Sequence, residues 1–285
     1  MQRANIIRTA DGAELFYRDW GNGTPVIFLS GWALPSDFWC YQMTSLSEAG
    51  FRCIAYDRRG HGRSSDPGRG FDYDTLADDF AAVLDALHLN NVAVVAHSMS
   101  AGEVIRYCSK RRGLGIQRIA LIGPTLPCLV KTADNPEGVD RALLDVTRRQ
   151  ILEDGFPAWL EANGRPFVTT DTKTETIGWL KNMMLSCSMK AVIDCSRAMI
   201  EADFRAELKE THIPTLIIHG DRDASAPIDL TSRRIVPLMP DARLTVYEGA
   251  PHGLPVTHAA RLTQDLQTFL RSPPVSLPVA ARRSA

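Results

Sequence analysis

Short apolar runs rich in β-branched residues recur along the chain: PVIFLS (25–30), FRCIAYD (51–57), VAVVAHS (92–98), RIALIG (118–123), TLIIHGD (215–221) and ARLTVYEG (242–249). Each is too short for a helix and apolar on both faces, as strands of a parallel sheet covered on two sides should be. Segments with apolar residues spaced by three and four lie near 73–88, 99–112, 227–238 and 257–271. In the first of them Leu76, Phe80, Val83, Leu84 and Leu87 form one stripe, which predicts an amphipathic helix. Alternating strands and helices predict an α/β fold with right-handed crossovers and a doubly wound, mostly parallel sheet. The start differs: IIRT and AELFYRDW, joined around Asp11-Gly12, read as an antiparallel hairpin.

The alternation stops after Gly123 and resumes at Thr215. Between them 140–153, 156–163, 175–185 and 189–201 carry helical patterns, with no convincing strand. The expected organisation is a core domain of residues 1–123 and 211–271, with a helical cap or lid at 124–210 inserted after the sixth strand. The Pro- and Ala-rich tail at 272–285 has no periodicity and is expected to be mobile. The 285 residues amount to about 1.9 domains of roughly 150 residues, which suits one domain with an insertion.

Composition narrows the classes. Hydrophobic residues at 45% and charged residues at 23% exclude a disordered or fibrous chain. Lys+Arg 32 against Asp+Glu 33 argues against nucleic acid or anionic membrane as a partner, since both need a cationic surface. No apolar stretch is long enough to span a bilayer, and MQRANIIRTADGAELFYRDW has no apolar export signal, so a soluble cytoplasmic protein is expected. The cysteines at 40, 53, 108, 128, 187 and 195 are scattered without a C-x-x-C pair and read as reduced structural thiols rather than zinc ligands.

Ligands of open α/β sheets bind beyond the carboxyl ends of the strands. VAVVA runs there into His97-Ser98-Met99-Ser100-Ala101-Gly102, a small-x-Ser-x-small turn from strand to helix. Such a turn lifts Ser98 above the sheet as a nucleophile and aims the Met99 N–H at an oxyanion. A serine needs a base, and the base needs an orienting carboxylate. Asp223 follows TLIIHG and His252 follows ARLTVYEG, in the order Ser, Asp, His. Asp221, directly after a glycine, reads as a turn residue, and His258 as the start of the last helix. The second oxyanion donor is expected in the loop Gly31-Trp32-Ala33, at the Trp32 N–H, with the indole lining the pocket.

Other residues have plainer readings. Asp57-Arg58-Arg59-Gly60-His61-Gly62-Arg63-Ser64 reads as a glycine-rich turn whose charges pair locally, and His219 and Glu103 read as structural. Trp179, Met183, Met184 and Met189 fit a flexible apolar substrate wall as well as core packing.

These residues carry a resemblance. YDRRGHGRSS (56–65), HSMSAGEVIRY (97–107), KTADNPEGV (131–139), HIPTLIIHGDRDASAPI (212–228) and YEGAPHGL (247–254) resemble the α/β-hydrolases, within them the cofactor-free bacterial haloperoxidase and aryl esterase group. The resemblance implies a Ser98–His252–Asp223 triad, an oxyanion hole at Trp32 and Met99, and no metal or haem. It implies cleavage of carboxylic esters, with lactones and amides as neighbouring substrates and peracid formation from hydrogen peroxide as the alternative. An acyltransferase and a non-catalytic receptor on the same fold remain rival readings, and a homo-oligomer is left open. Three positions depart from the family pattern: Ser30 for His, Ser100 for Gly, and Ala33 where oxidative members carry Pro. The last counts against peroxide use, and the two serines place hydroxyls beside the nucleophile.

Overall fold

The computed structural model describes residues 5–272, so the tail expected to be mobile lies, beyond Ser272, outside the described residues. Eight strands form one sheet: β1 (Ile6–Arg8), β2 (Glu14–Trp20), β3 (Thr24–Leu29), β4 (Phe51–Tyr56), β5 (Val92–His97), β6 (Ile116–Ile122), β7 (Thr215–Gly220) and β8 (Ala242–Tyr247). Their spatial order is β1-β2-β4-β3-β5-β6-β7-β8. β1 pairs antiparallel with β2, and β2 antiparallel with β4. All other pairs are parallel, so the expected hairpin and parallel sheet both form.

The helices are α1 (Cys40–Glu48), α2 (Tyr73–Ala86), α3 (Ser100–Arg111), α4 (Arg141–Asp154), α5 (Phe156–Asn163), α6 (Thr174–Met184), α7 (Met189–Glu201), α8 (Arg205–Glu210), α9 (Ser232–Ile235), α10 (Leu254–Thr257) and α11 (Ala259–Arg271). Residues alternate between the two faces of a strand, and the central strands bury both. Ile27, Leu29, Val94 and Ala96 join Leu76 and Phe80 of α2 and Val104 of α3 in one core. Val26, Phe28, Ala93 and Val95 join Met43 of α1 and Leu262 and Leu266 of α11 in the other. β5 and β7 are buried at all six positions, which explains their uninterrupted apolar runs.

The segment between β6 and β7 is helical, and α4 to α7 fall within a residue of the spans read from the sequence. Two differences lie elsewhere. The pattern at 227–238 yields only the single turn α9, because Pro227 and Pro237 bracket it and a proline inside a helix removes a donor and clashes with the preceding turn. α1 has no counterpart in the reading, because its buried face includes a polar residue, Gln42. All six cysteines are free thiols, and among the described residues no helix is long and apolar enough to cross a membrane.

Candidate active site

The site lies where the strand order reverses, beyond the carboxyl ends of β3, β5, β7 and β8. Ser98 occupies the turn between β5 and α3 with φ 57°, a left-handed conformation that a side chain adopts only under strain. Small neighbours make that turn feasible. A Cβ at Gly31 would stand 2.6 Å from His97 Nδ1 and 3.1 Å from Ser98 Cβ, so only glycine lets the loop after β3 come this close. Gly31 opens a turn in which Leu34 N–H donates to Gly31 O at 3.3 Å and Ala33 takes φ 59°. Positive φ at the third residue makes it a type II turn. Among the described residues neither the Trp32 N–H nor the Met99 N–H has an acceptor, leaving both available to a ligand.

Asp223 and His252 come from separate loops and meet. Asp223 Oδ2 lies 2.5 Å from His252 Nδ1, while Oδ1 accepts from the N–H groups of Ser225 at 2.9 Å and Ala226 at 2.7 Å. His219 Nε2 also lies 3.0 Å from Oδ2, and Ser232 Oγ is 2.6 Å from His219 Nδ1. Nε2 faces two acceptors, Ala226 O at 2.8 Å and the Asp223 carboxylate, so the His219 proton sits there and Nδ1 accepts from the Ser232 hydroxyl. Burial opposes ionisation of Asp223, but the charge of His252 and hydrogen bonds from His219 and His252 outweigh it and hold the carboxyl well below the usual range.

His252 and Ser98 converge on the end of β6. Ser98 N–H donates to Ile122 O at 2.9 Å, and a Cβ on the next residue, Gly123, would touch His252 Nδ1 at 3.2 Å. Among the described residues no hydrogen bond joins Ser98 Oγ to the imidazole. Catalytic contacts of this type often tighten only with substrate bound. His97 lies beneath: its Nε2 is 3.2 Å from His252 O, and its ring is centred 4.7 Å from that of His252. Burial, and then the charge of His252, push His97 ionisation far down, so it serves here as a neutral donor.

The remaining expectations sort by position. Asp221 is exposed and accepts from Gly249 N–H at 2.6 Å, which makes it the turn residue. His258 precedes α11 and pairs with Thr257 Oγ1 at 2.9 Å. The Trp32 indole packs edge-on against Phe156 and Trp159, both at 5.6 Å, and donates from Nε1 to Val192 O of α7 at 2.8 Å. Trp179 packs on Tyr41 at 6.0 Å, Met183 is buried in the second core, Met184 touches both cores, and Met189 is exposed. The hydroxyls of Ser30 and Ser100 are both taken by backbone. Ser30 Oγ donates to Pro35 O at 2.9 Å, and Ser100 Oγ lies 2.9 Å from Leu29 O and 2.8 Å from His97 O.

In the loop at 57–64 only Arg63 pairs locally, with Asp57 at 3.4 Å, and the expectation of local pairing fails for Arg58 and Arg59. Arg58 pairs with Glu103 of α3, and Arg59 with Asp11 at 2.9 Å and Asp79 at 2.7 Å. The acid within the loop, Asp57, is occupied by the N–H groups of Ser36 at 2.7 Å and Arg63 at 2.8 Å. Two adjacent buried arginines beside one committed acid must therefore be neutralised from other elements. That shortage of local acid was the signal available in the sequence. His219 had no such signal, since its approach to Asp223 arises from the loop after β7 folding back.

A family model described as the alpha/beta hydrolase fold matches residues 24–259. A non-heme chloroperoxidase from Kitasatospora aureofaciens is 38% identical over 93% of this chain and 98% of its own length. A bifunctional esterase/perhydrolase from Acinetobacter calcoaceticus is 34% identical over 93% of this chain and 99% of its own. The crystal structure of a bromoperoxidase from Bacillus anthracis superposes with a TM-score of 0.89 at 35% identity, covering 94% of this chain and 99% of that one. A likeness that runs through both cores and every strand end described above makes this chain a member of the α/β-hydrolase family of enzymes.

Proposed function

We propose that the protein is a serine hydrolase that cleaves small, uncharged carboxylic esters through an acyl-enzyme. The observation that carries this reading is the 2.5 Å contact between Asp223 Oδ2 and His252 Nδ1 on a carboxylate whose other oxygen is held by two backbone N–H groups. That arrangement leaves Nε2 of His252 as the base. Ser98 Oγ attacks the ester carbonyl and passes its proton to Nε2, and Asp223 stabilises the imidazolium. The unpartnered N–H groups of Trp32 and Met99 bind the oxyanion, each worth about 3 kcal/mol in comparable sites. The imidazolium then protonates the leaving alcohol, and water, deprotonated by the same nitrogen, releases the acid. The helical segment 124–210 acts as a lid, with Trp32, Phe156 and Trp159 as its apolar contact with the site.

A second reading keeps the acyl-enzyme and replaces water with hydrogen peroxide, which yields a peracid and free Ser98. The activities named for the chloroperoxidase and perhydrolase relatives favour it. Ala33 favours hydrolysis, because proline is confined to φ near −65° and does not fit this turn at φ 59°. Labelling with a fluorophosphonate followed by peptide mapping tests the shared step. An adduct on Ser98, and loss of at least about a thousandfold in kcat in Ser98→Ala, are expected. Absence of the adduct, or an active variant across an ester panel, would refute both readings. Peroxide-dependent bromination in acetate that outruns ester turnover would select the second.

A further inference from the structure

Arg58 lies two residues beyond the end of β4 and is buried, with 4% of its surface exposed. Its five N–H groups all find acceptors. Nε and Nη2 donate to Glu103 Oε1, Nη2 also to Ser30 O at 2.7 Å, and Nη1 to Gly31 O at 3.2 Å, with His61 Nε2 facing Nη1 at 3.4 Å. The two carbonyls belong to the loop that leads into Trp32. Gly31 C=O and Trp32 N–H are the two ends of one planar trans peptide and point in opposite directions. A guanidinium on the carbonyl therefore fixes which way the N–H faces. It also polarises that peptide, since hydrogen bonds in a chain strengthen one another at low dielectric. Glu103, the other partner, stands in the first turn of α3, immediately after Met99 and its N–H.

We infer that Arg58 and Glu103 are positioning residues for the oxyanion hole: the ion pair ties the Ser30–Trp32 loop to the nucleophile helix and aims the Trp32 N–H at the reacting oxygen. The inference rests on the hydrolase reading, which supplies the oxyanion. It goes beyond that reading by assigning a kinetic task to two buried charges outside the triad. A pair kept for stability alone has a cheap alternative, because buried ion pairs replaced by apolar side chains of similar volume often leave a fold as stable or more so. The Leu34 N–H bond to the same Gly31 carbonyl closes the turn, but being uncharged it polarises the peptide less.

The test compares the wild type with Arg58→Lys and with the double variant Arg58→Met/Glu103→Leu. Substrates are p-nitrophenyl acetate and its thionoester analogue, whose sulfur gains little from oxyanion donors. In folded variants of unchanged melting temperature kcat on the oxygen ester is expected to fall about 10- to 100-fold with KM within threefold, the thionoester falling much less. Fluorophosphonate labelling of Ser98 in each variant separates the two levels. Loss of an adduct in the wild type refutes the hydrolase reading. An intact adduct with unchanged kcat, or with equal loss on both esters, overturns the positioning role alone. If neither variant folds, the pair is structural and the inference fails.

Discussion

His61 shows how a residue with no part in the chemistry still sets a working limit. It is fully buried, with Nδ1 at 2.9 Å from Arg59 O and Nε2 facing Arg58. Burial, then the charge of Arg58, lowers its ionisation from the ordinary 6.5 to about 3. Between those values the unfolded chain takes up a proton that the folded chain refuses. Stability from this residue is therefore whole above pH 6.5 and is lost on acidification, by up to about 1.4 kcal/mol per pH unit until about pH 3. His61→Asn removes the titration. In urea unfolding its deficit against the wild type should shrink by about 2 kcal/mol between pH 7 and pH 5. Parallel pH curves would contradict this account. At this scale Ser98, Asp223 and His252 were legible as candidates because each follows a strand end among small or turn-forming residues, although Asp221 competed with Asp223 at the same end. Arg58 and His219 were not legible, since their partners are set by how the chain folds: Glu103 on α3 for Arg58, and the loop after β7 turning back for His219. For Arg58 the local pattern shows a shortage of acid, but it does not single out Glu103, 45 positions away, as the partner.

Among the elements, legibility followed the purity of the apolar stripe. α4 to α7 each carry enough apolar spacing to be placed within a residue, although α4 packs on α5 and α7 in ways no spacing reports. α1 escaped because Gln42 is fully buried on its inner face, where its amide donates to Pro255 O at 2.9 Å. A buried amide with a dedicated acceptor reads, in sequence, like a surface residue. The start of α3 is secured by a different device, the Ser100 hydroxyl against Leu29 O and His97 O at two strand ends. Ser100→Ala removes that link and should cost about 1 kcal/mol in urea unfolding, the net worth of one buried hydrogen bond. Because the hydroxyl faces backbone, kcat on p-nitrophenyl acetate should change less than threefold. A larger kinetic effect would mean that Ser100 reaches the acyl group after all.

At the scale of the molecule, strand–helix alternation was enough to foresee a doubly wound sheet with an antiparallel first hairpin, because crossover handedness leaves few topologies for such a string. The interruption after β6 was equally plain. What the string could not convey is how the helices after β6 hold the loop after β3. The Trp32 indole donates to Val192 O of α7, 160 positions further along the chain, from the same residue whose backbone N–H is the proposed oxyanion donor. Binding free energies at two linked places are reciprocal. An adduct on Ser98 that orders the Trp32 loop must therefore stabilise α7 by the same amount, and a perturbation that draws α7 away must weaken the adduct equally. Amide hydrogen exchange over Met189–Glu201 should slow when Ser98 carries a phosphonate. Exchange that stays constant there while slowing around Trp32 would show the two uncoupled. With the coupling present, the occupancy of Ser98 can be read on a helix about ninety positions further along the chain.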